Sequence, residues 1–366
     1  MFPLRIVHIT ASSSVGGGPE HVWQLLCHLP DTLTELYLAA PKTEPYGSKF
    51  IAKLSKEHYF ELPERRWSTI AFIKLIFWIR KHNIQLIHSH GRGAGIYGRF
   101  AALLTNIPCI HTFHGIHIPH TRLSHLLYLS LEYILQYITR VSIAVSPSEA
   151  SEARKLGFTD STLIVIPNGV ECIPRASNNI KKIPFTIVHA SRFDPIKNSE
   201  ALLDIALELR SMGYLSLCKF VVLGDGERKK AMEQAIYEHD LSDYFEFIGF
   251  TPSIRPYLQK ADCYLTTSLR EGMPLAVLEA QAEGVPVIAS RVPGNIDAIV
   301  ENITGLLFSV EDLKVAAKQV KRLIEDAELR KRLKKIIMLK RWQERPMSFI
   351  QLLLPIKWGL GFMISL

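Results

Sequence analysis

The sequence has few cysteines, no paired cysteine motif and no leader-like opening. The five cysteines form an odd, scattered set without a CxxC pair: Cys27, Cys109, Cys172, Cys218 and Cys263. This spacing fits neither a disulfide framework nor a zinc site, so we expect a reducing compartment. Arg5 leads directly into the strand-like tetrapeptide of residues 6–9, IVHI, and no signal-peptide pattern is seen at this end. Both absences predict a cytoplasmic protein.

Blocks of like charge and recognised nucleic-acid modules are also missing. The 43 Lys and Arg residues outnumber the 35 Asp and Glu residues, giving a formal charge of +8, but the basic residues are dispersed. Dispersed positive charge favours nucleotides, phospholipid surfaces or polyprenyl phosphates as anionic partners. We therefore expect no nucleic-acid partner.

Long apolar runs are confined to the C-terminal end. Residues 336–366 read IIMLKRWQERPMSFIQLLLPIKWGLGFMISL, and Pro355 and Lys357 interrupt the apolar tract that begins at Ser348. The tract is barely long enough to span a bilayer, so an interfacial or buried segment is expected. Residues 67–80 mix aromatic side chains with Lys and Arg, which suits either a helix packed on a sheet, the favoured interpretation, or one seated on an anionic membrane surface.

Short β-branched runs alternate with helical patterns along both halves of the chain, and 366 residues allow two hydrophobic cores. Strands are predicted at residues 5–10, 84–90, 109–114, 141–145, 185–190, 219–223, 245–248, 263–267 and 285–289. Helices are predicted at residues 20–29, 69–81, 124–139, 199–212, 228–239, 274–283 and 313–326. This alternation predicts an α/β protein with two doubly wound, Rossmann-like domains.

The predicted domains meet at a polar linker. We assign residues 1–173 to the first domain, 174–183 to the linker, 184–335 to the second domain and 336–366 to an atypical tail. Open α/β sheets bind ligands at the carboxyl ends of their strands, so the chemistry is expected in a cleft between the facing domains.

The richest candidate site lies in residues 268–290. Glu271 is predicted to precede a helix, Pro274 to stand in its first turn, and Glu279 to lie within it. The amides of Gly272, Met273 and Leu275 at the start of that helix would suit a phosphate. Glu271 could then accept hydrogen bonds from sugar hydroxyls, and Glu279 from a ribose diol.

Two cations follow the first strand of the second domain. Arg192 and Lys197 are placed to bind a diphosphate, because a guanidinium can engage two phosphate oxygens while an ammonium neutralises the charge that grows on a leaving diphosphate. In the first domain, Gly16, Gly17 and Gly18 follow the first strand and allow close backbone approach to a phosphate or sugar.

These segments together resemble the family 4 glycosyltransferases. Glu271 and Glu279 match the family's Glu-x7-Glu motif, Pro293-Gly294-Asn295 stands where Gly-Gly is common, and Asn198 replaces the commoner Gly after the lysine. The resemblance covers about residues 4–330. It implies a GT-B fold, and it places His114 beside the transferring sugar with Glu271, Arg192 and Lys197. Gly16, Gly17, Gly272, Met273, Pro274, Leu275 and Glu279 would complete the donor site.

The resemblance implies a retaining, metal-independent, hexosyltransferase-like enzyme. It would move a sugar from a nucleotide-diphosphate donor to a lipid-linked or glycan acceptor, in bacterial surface polysaccharide or lipopolysaccharide synthesis, without a cofactor. It would work in the cytoplasm or peripherally on the inner face of the membrane. His88 and His90 end one predicted strand and His114 another, without a metal-ligand spacing or a matching acidic ligand, so no metal site is predicted.

Three other functions stay open on the sequence alone. A GT-B sugar-nucleotide epimerase would share the donor site, and the altered tail would suit a nucleotide-sugar-binding protein without turnover. A nicotinamide-dependent oxidoreductase is the weakest alternative, because the glycines after the first strand lack the GxGxxG spacing.

Overall fold

The computed structural model describes residues 3–116, 130–170 and 184–339. The chain divides into two compact units after Asn168. The predicted linker and residues 340–366 of the predicted tail lie outside the described residues, so the domain limits stay a prediction.

The first unit contains one seven-stranded parallel sheet in the order β3-β2-β1-β4-β5-β6-β7. Its strands are β1 (Leu4–Thr10), β2 (Thr34–Ala40), β3 (Tyr59–Glu61), β4 (Leu86–His90), β5 (Cys109–Thr112), β6 (Val141–Ala144) and β7 (Leu163–Val165). Its helices are α1 (Gly17–His28), α2 (Tyr46–Lys53), α3 (Thr69–Lys81), α4 (Gly91–Thr105), α5 (residues 130–136) and α6 (Pro147–Lys155).

The second unit contains a six-stranded parallel sheet in the order β10-β9-β8-β11-β12-β13. Its strands are β8 (Phe185–Ala190), β9 (Cys218–Leu223), β10 (Phe245–Gly249), β11 (Cys263–Thr266), β12 (Val287–Ser290) and β13 (Gly305–Phe308). Its helices are α7 (Ala201–Ser211), α8 (Lys229–Glu238), α9 (Arg255–Leu258), α10 (Leu275–Ala282), α11 (Asn295–Ala298), α12 (Leu313–Glu325) and α13 (Ala327–Leu339). The predicted α/β class with two doubly wound sheets is confirmed.

Strand order reverses at the same point in both units. β1 lies between β2 and β4, and β8 lies between β9 and β11. Neighbouring loops run to opposite faces of the sheet at such a switch point, so a crevice opens at the carboxyl ends of the two strands. The loops after β1, β4, β8 and β11 are therefore where ligands are expected.

Helix α4 packs unusually close to its sheet because it carries glycines on the inner face. A Cβ atom at Gly98 would lie 2.7 Å from the Ser89 Cβ atom, and one at Gly95 would lie 2.7 Å from the His111 ring. Arg99 of the same helix is fully buried and forms a two-pronged ion pair with Glu132, with N···O distances of 2.7 and 3.2 Å. Removing either partner would leave a buried charge without compensation.

Several predicted boundaries are wrong by a few residues, for local reasons. Helix α1 begins at Gly17 instead of residue 20. Strand β4 begins at Leu86, because the Ile84 amide still donates to the Ile79 carbonyl at the end of α3. Strand β5 ends at Thr112, because His114 has a left-handed φ of 83° that turns the chain out of the sheet. Among the described helices, none combines the length and apolar character needed to cross a bilayer.

Candidate functional site

The acidic segment of the second unit forms the loop between β11 and α10. Pro274 occupies the cap position ahead of α10, with φ −75° and ψ 109°, so the prediction that it stands in the first helical turn is wrong by one residue. No side chain caps this helix. The amides of its first turn therefore lack acceptors within the helix and point toward the switch point of the second sheet. Met273 and Pro274, which precede the helix, are buried.

Two residues that the sequence places 74 positions apart meet at this switch point. The Lys197 Nζ atom lies 2.6 Å from the Glu271 Oε1 atom, and both side chains are mostly buried. A charge-assisted hydrogen bond of this length orients both groups. The structure thus brings two of the four predicted catalytic residues together, and their catalytic roles stay predictions.

The loops that carry Lys197 and Glu271 are joined by hydrogen bonds other than the ion pair. The Thr267 hydroxyl donates to the carbonyls of Lys197 and Asn198, at 3.3 and 2.8 Å. The Leu269 amide donates to the Ile196 carbonyl at 2.8 Å. These bonds fix the separation of the two loops, so the ammonium and the carboxylate are preorganised.

A third loop supports the acidic loop from the other side. Gly294 has a φ of 82°, and a Cβ atom there would lie 2.6 Å from the Gly272 carbonyl oxygen and 2.8 Å from that of Glu271. The buried Asn295 side chain donates to the Ser290 carbonyl at 2.8 Å. Glycine is required at position 294 for both its backbone angle and this close approach.

Arg192 lies on the loop after β8. Its Nη2 atom is 3.0 Å from Asp194 Oδ2, and over a third of its side chain is exposed. Gly224 and Gly226 support this loop, since a Cβ atom at Gly224 would collide with the Ser191 carbonyl oxygen at 1.8 Å. The guanidinium is therefore positioned by backbone packing and one acidic neighbour while it remains accessible to an anion.

His189 and Tyr264 belong to this site, and the sequence analysis misses both. The His189 Nδ1–H donates to the Leu265 carbonyl at 2.9 Å, and its Nε2 atom lies 2.9 and 3.1 Å from the hydroxyl oxygens of Ser191 and Ser199. Burial, together with the nearby Lys197 charge, lowers the pKa of His189 to about 4, although the hydrogen bond to the Leu265 carbonyl opposes this shift. Burial, together with the charges of Glu271 and Glu279, raises the pKa of Tyr264. The only feature of the sequence that could have indicated His189 is its position near the end of a predicted strand.

The glycine loop of the first unit leads into α1. Gly16 caps the helix and Gly17 opens it, with no side-chain cap, so backbone amides again face the switch point. The carboxylate of Glu64 accepts hydrogen bonds from the Ser12 hydroxyl and the Ser13 amide, at 2.6 and 3.1 Å. Burial alone would raise the pKa of Glu64, but these and related hydrogen bonds lower it overall. Glu64 thus holds the loop before the glycines in place.

Five histidines converge at the carboxyl ends of β1, β4 and β5. They are His8, His88 and His90 on the strands, His21 on α1 and His114 after β5, with neighbouring ring centroids 4.0 to 5.6 Å apart. Burial lowers the pKa of His8 to about 3 and that of His21 to about 4. It also holds the pKa values of His88, His90 and His114 well below the ordinary value. All five imidazoles are therefore neutral near pH 7.

His114 is held in its left-handed conformation by a buried acid. The Glu149 carboxylate accepts hydrogen bonds from the amides of Gly115 and Val145. Non-glycine residues in this region of φ are strained, and such strain persists only where the surroundings fix it. Glu149 is thus the residue that positions His114, and the sequence analysis did not identify it.

Two family models match adjoining parts of the chain. The Glycosyltransferase Family 4 model matches residues 15–173, and the Glycosyl transferases group 1 model matches residues 173–337. Together they cover residues 15–337, which include every site residue that the sequence analysis predicts.

Curated relatives agree with these models. A UDP-Gal:α-D-GlcNAc-diphosphoundecaprenol α-1,3-galactosyltransferase from Escherichia coli is 29% identical over 276 residues, covering 71% of each chain. A D-inositol 3-phosphate glycosyltransferase from Arthrobacter is 29% identical over 289 residues, covering 70% of this chain and 65% of the relative.

Solved structures show the same fold. HepE from Anabaena, in complex with UDP-glucose, has a TM-score of 0.79 at 19% identity, with 98% of this chain and 99% of that one covered. Sucrose-phosphate synthase from Thermosynechococcus elongatus has a TM-score of 0.81 at 20% identity, with 97% and 100% covered. The chain therefore has the GT-B fold class and belongs to the family 4 glycosyltransferases.

Proposed function

We propose that this glycosyltransferase transfers a hexose from a UDP-sugar to a lipid-diphosphate-linked saccharide, with retention of anomeric configuration and without a metal or cofactor. The contact between Lys197 and Glu271 at the switch point of the second sheet carries the proposal. In this proposal Lys197 is the cation that meets the diphosphate and Glu271 is the acid that meets the sugar. The Escherichia coli relative, named for UDP-Gal and a diphosphoundecaprenol-linked acceptor, supports the choice of donor and acceptor.

The proposed chemistry needs only groups that this chain can supply. Arg192, Lys197 and the first amides of α10 neutralise the diphosphate while the bond from the anomeric carbon to the phosphate oxygen breaks. The acceptor hydroxyl attacks from the same face, and the departing phosphate oxygen takes its proton. Positioning and charge stabilisation then account for catalysis, so no protein nucleophile is needed.

A donor screen followed by a transfer assay tests this function. We expect UDP-sugars, and not GDP- or ADP-sugars, to raise the melting temperature, because a ligand that binds only the folded state stabilises it. The preferred donor should then release UDP only when a diphosphate-linked saccharide is supplied. UDP release or sugar epimerisation without an acceptor would favour an epimerase, and donor binding without transfer to any saccharide acceptor would favour a binding protein.

The two acids should separate in their effects on binding and turnover. Glu271→Gln should reduce the transfer rate strongly while leaving the affinity for bare UDP nearly unchanged, since this carboxylate faces the sugar. Glu279→Gln should weaken UDP itself by about 1–3 kcal/mol through loss of a charge-assisted hydrogen bond to the ribose. Calorimetric titration with UDP, beside initial rates with the full donor, measures both. Equal loss of UDP affinity in the two variants would contradict this division.

The exposed face of α3 supports a peripheral position on an anionic bilayer. Ile70, Ile73 and Phe77 are 69%, 50% and 67% exposed although they are large and apolar. Lys74 and Arg80 lie on the same face, and the helix contains no acidic residue. Apolar side chains between cations suit the boundary between lipid headgroups and acyl chains. The opposite face packs on the sheet through Phe72, Leu75, Ile76 and Ile79, as the favoured interpretation of this segment predicted.

Removing this face should release the protein from membranes. Ile73→Ser combined with Phe77→Ser should lower co-sedimentation with vesicles that contain phosphatidylglycerol by about tenfold or more, because two large apolar side chains no longer enter the bilayer. Leu217→Ser, at an exposed position of the second unit, is the control. Equal vesicle binding by the double variant and the control would assign the membrane contact to another surface.

A further inference from the structure

The five histidines of the first unit include a set with the arrangement of metal ligands. One ring nitrogen from each of His21, His90 and His114 lies within 4.8 Å of the other two. These residues are far apart in sequence, and they meet because α1, β4 and the loop after β5 converge at the switch point of the first sheet. The prediction of no metal site used the spacing of His88, His90 and His114 alone and did not include His21.

The distance between two of these rings fits a shared ion. The Nδ1 atom of His90 and the Nε2 atom of His114 are 3.3 Å apart, which is long for a hydrogen bond. Two imidazole nitrogens bound to one tetrahedral ion at 2.0–2.1 Å are separated by about 3.3 Å. We propose that His21, His90 and His114 form a binding site for a divalent transition-metal ion of the zinc class.

The remaining ring nitrogen of His90 has the outer contact that metal-bound histidines usually make. The Nε2 atom of His90 faces the Nδ1 atom of His8 at 3.0 Å, so that a proton on His90 Nε2 is donated away from the ion. His21 is hydrogen-bonded through its side chain to Asn168. Such contacts fix the tautomer and ring orientation of a ligand.

A second set, His8, His88 and His90, is also close enough to bind a metal, but it is completely buried. His21 and His114 are partly exposed, so an ion can enter from solvent and keep one position for water. Imidazole donors without a carboxylate favour zinc-like ions over Mg²⁺ or Ca²⁺. His8 then serves as the outer contact and not as a ligand.

Metal binding at this site should affect sugar transfer, an inference that rests on the proposed function. His114 is the residue expected beside the transferring sugar, and it cannot contact the sugar while its ring holds an ion. The metal therefore inhibits transfer without taking part in it.

Direct binding measurements test the site independently of activity. Chelator-treated full-length protein is titrated with ZnCl₂ by calorimetry and with CoCl₂ by visible absorption. We expect one ion per chain and the absorption of tetrahedral cobalt. His21→Asn should weaken binding by at least about 100-fold, since the loss of an outer contact alone costs 10–100-fold. The control is His28→Asn, which removes an exposed histidine of the same helix and should leave binding and transfer unchanged.

Transfer assays with zinc complete the test. Zinc should inhibit the parent protein, the chelator should restore activity, and His21→Asn should resist inhibition. Zinc affinity unchanged in His21→Asn, or lost in His28→Asn because exposed Cys27 and His28 bind the ion, would overturn the site. Binding that depends on His21 without inhibition would leave the site standing and contradict the placement of His114 in the proposed function.

Discussion

Replacing Lys197 with methionine is expected to lower the transfer rate by about a hundredfold or more, as for the loss of one preorganised charge-stabilising contact. Methionine keeps most of the side-chain volume but removes the ammonium that faces the diphosphate. It also leaves the Glu271 carboxylate without its partner at 2.6 Å. Steady-state rates with saturating donor, compared with the parent protein, measure the effect. Arg192→Ala should act in the same direction.

A second lysine of the same unit provides the control. Lys229 has a side-chain exposure of 20%, against 22% for Lys197, and it also faces a glutamate, Glu233, at 3.6 Å. Lys229→Met should retain the parent rate, since that pair lies on the surface of α8. If Lys197→Met and Lys229→Met transfer at the same rate, the diphosphate assignment of Lys197 is wrong.

Acidification from pH 7.5 to pH 5 is expected to destabilise the first unit severely. Its buried histidines have folded-state pKa values below the ordinary 6.5, about 3 for His8 and about 4 for His21. The unfolded chain therefore binds more protons than the folded one below pH 6.5, and stability falls as pH falls toward the folded pKa values. Each such group costs about 2 kcal/mol at pH 5. Several together should lower the melting temperature by more than about 10 °C.

Thermal melts between pH 7.5 and pH 5 measure this effect, and one variant isolates its source. His21→Asn removes one of the titrating groups. It should reduce the slope of stability against pH by up to about 1.4 kcal/mol per pH unit below pH 6.5. His28→Asn, at an exposed position, should keep the parent slope. A melting temperature that stays constant from pH 7.5 to pH 5 would show that the cluster accepts protons without cost.

The elements with strong local signals are those that the sequence predicts well. Strand β8 is rich in β-branched and aromatic residues, and helix α3 follows a Ser68 cap whose hydroxyl accepts from the Ala71 amide. Both elements begin and end at the predicted residues. Helix α4 was not predicted, because four glycines in one segment disfavour a helix. Those glycines are explained by the packing of α4 against β4 and β5, which no local pattern reveals.

The residues of the candidate site also fall into those that local sequence motifs predict and those that they do not. Glu271, Glu279, Arg192 and Lys197 could be proposed because they belong to recognisable local motifs. His8 and His21 could not, because their contacts depend on β1 lying beside β4 and on α1 beginning next to them. The contact between His8 and His90 joins residues 82 positions apart. Glu149 was missed for the same reason, since one of its two partners, the Gly115 amide, lies 34 positions earlier in a different loop.

The dense backbone packing around Gly294 limits how this enzyme can be redesigned. The carbonyls of Glu271 and Gly272 lie within 3 Å of where a side chain at position 294 would begin, and Thr267 bonds the carbonyls of Lys197 and Asn198. Grafting the acidic loop alone onto a related scaffold would separate it from both neighbours. A chimaera intended to exchange donor specificity should therefore transplant residues 191–198, 267–275 and 290–295 as one block.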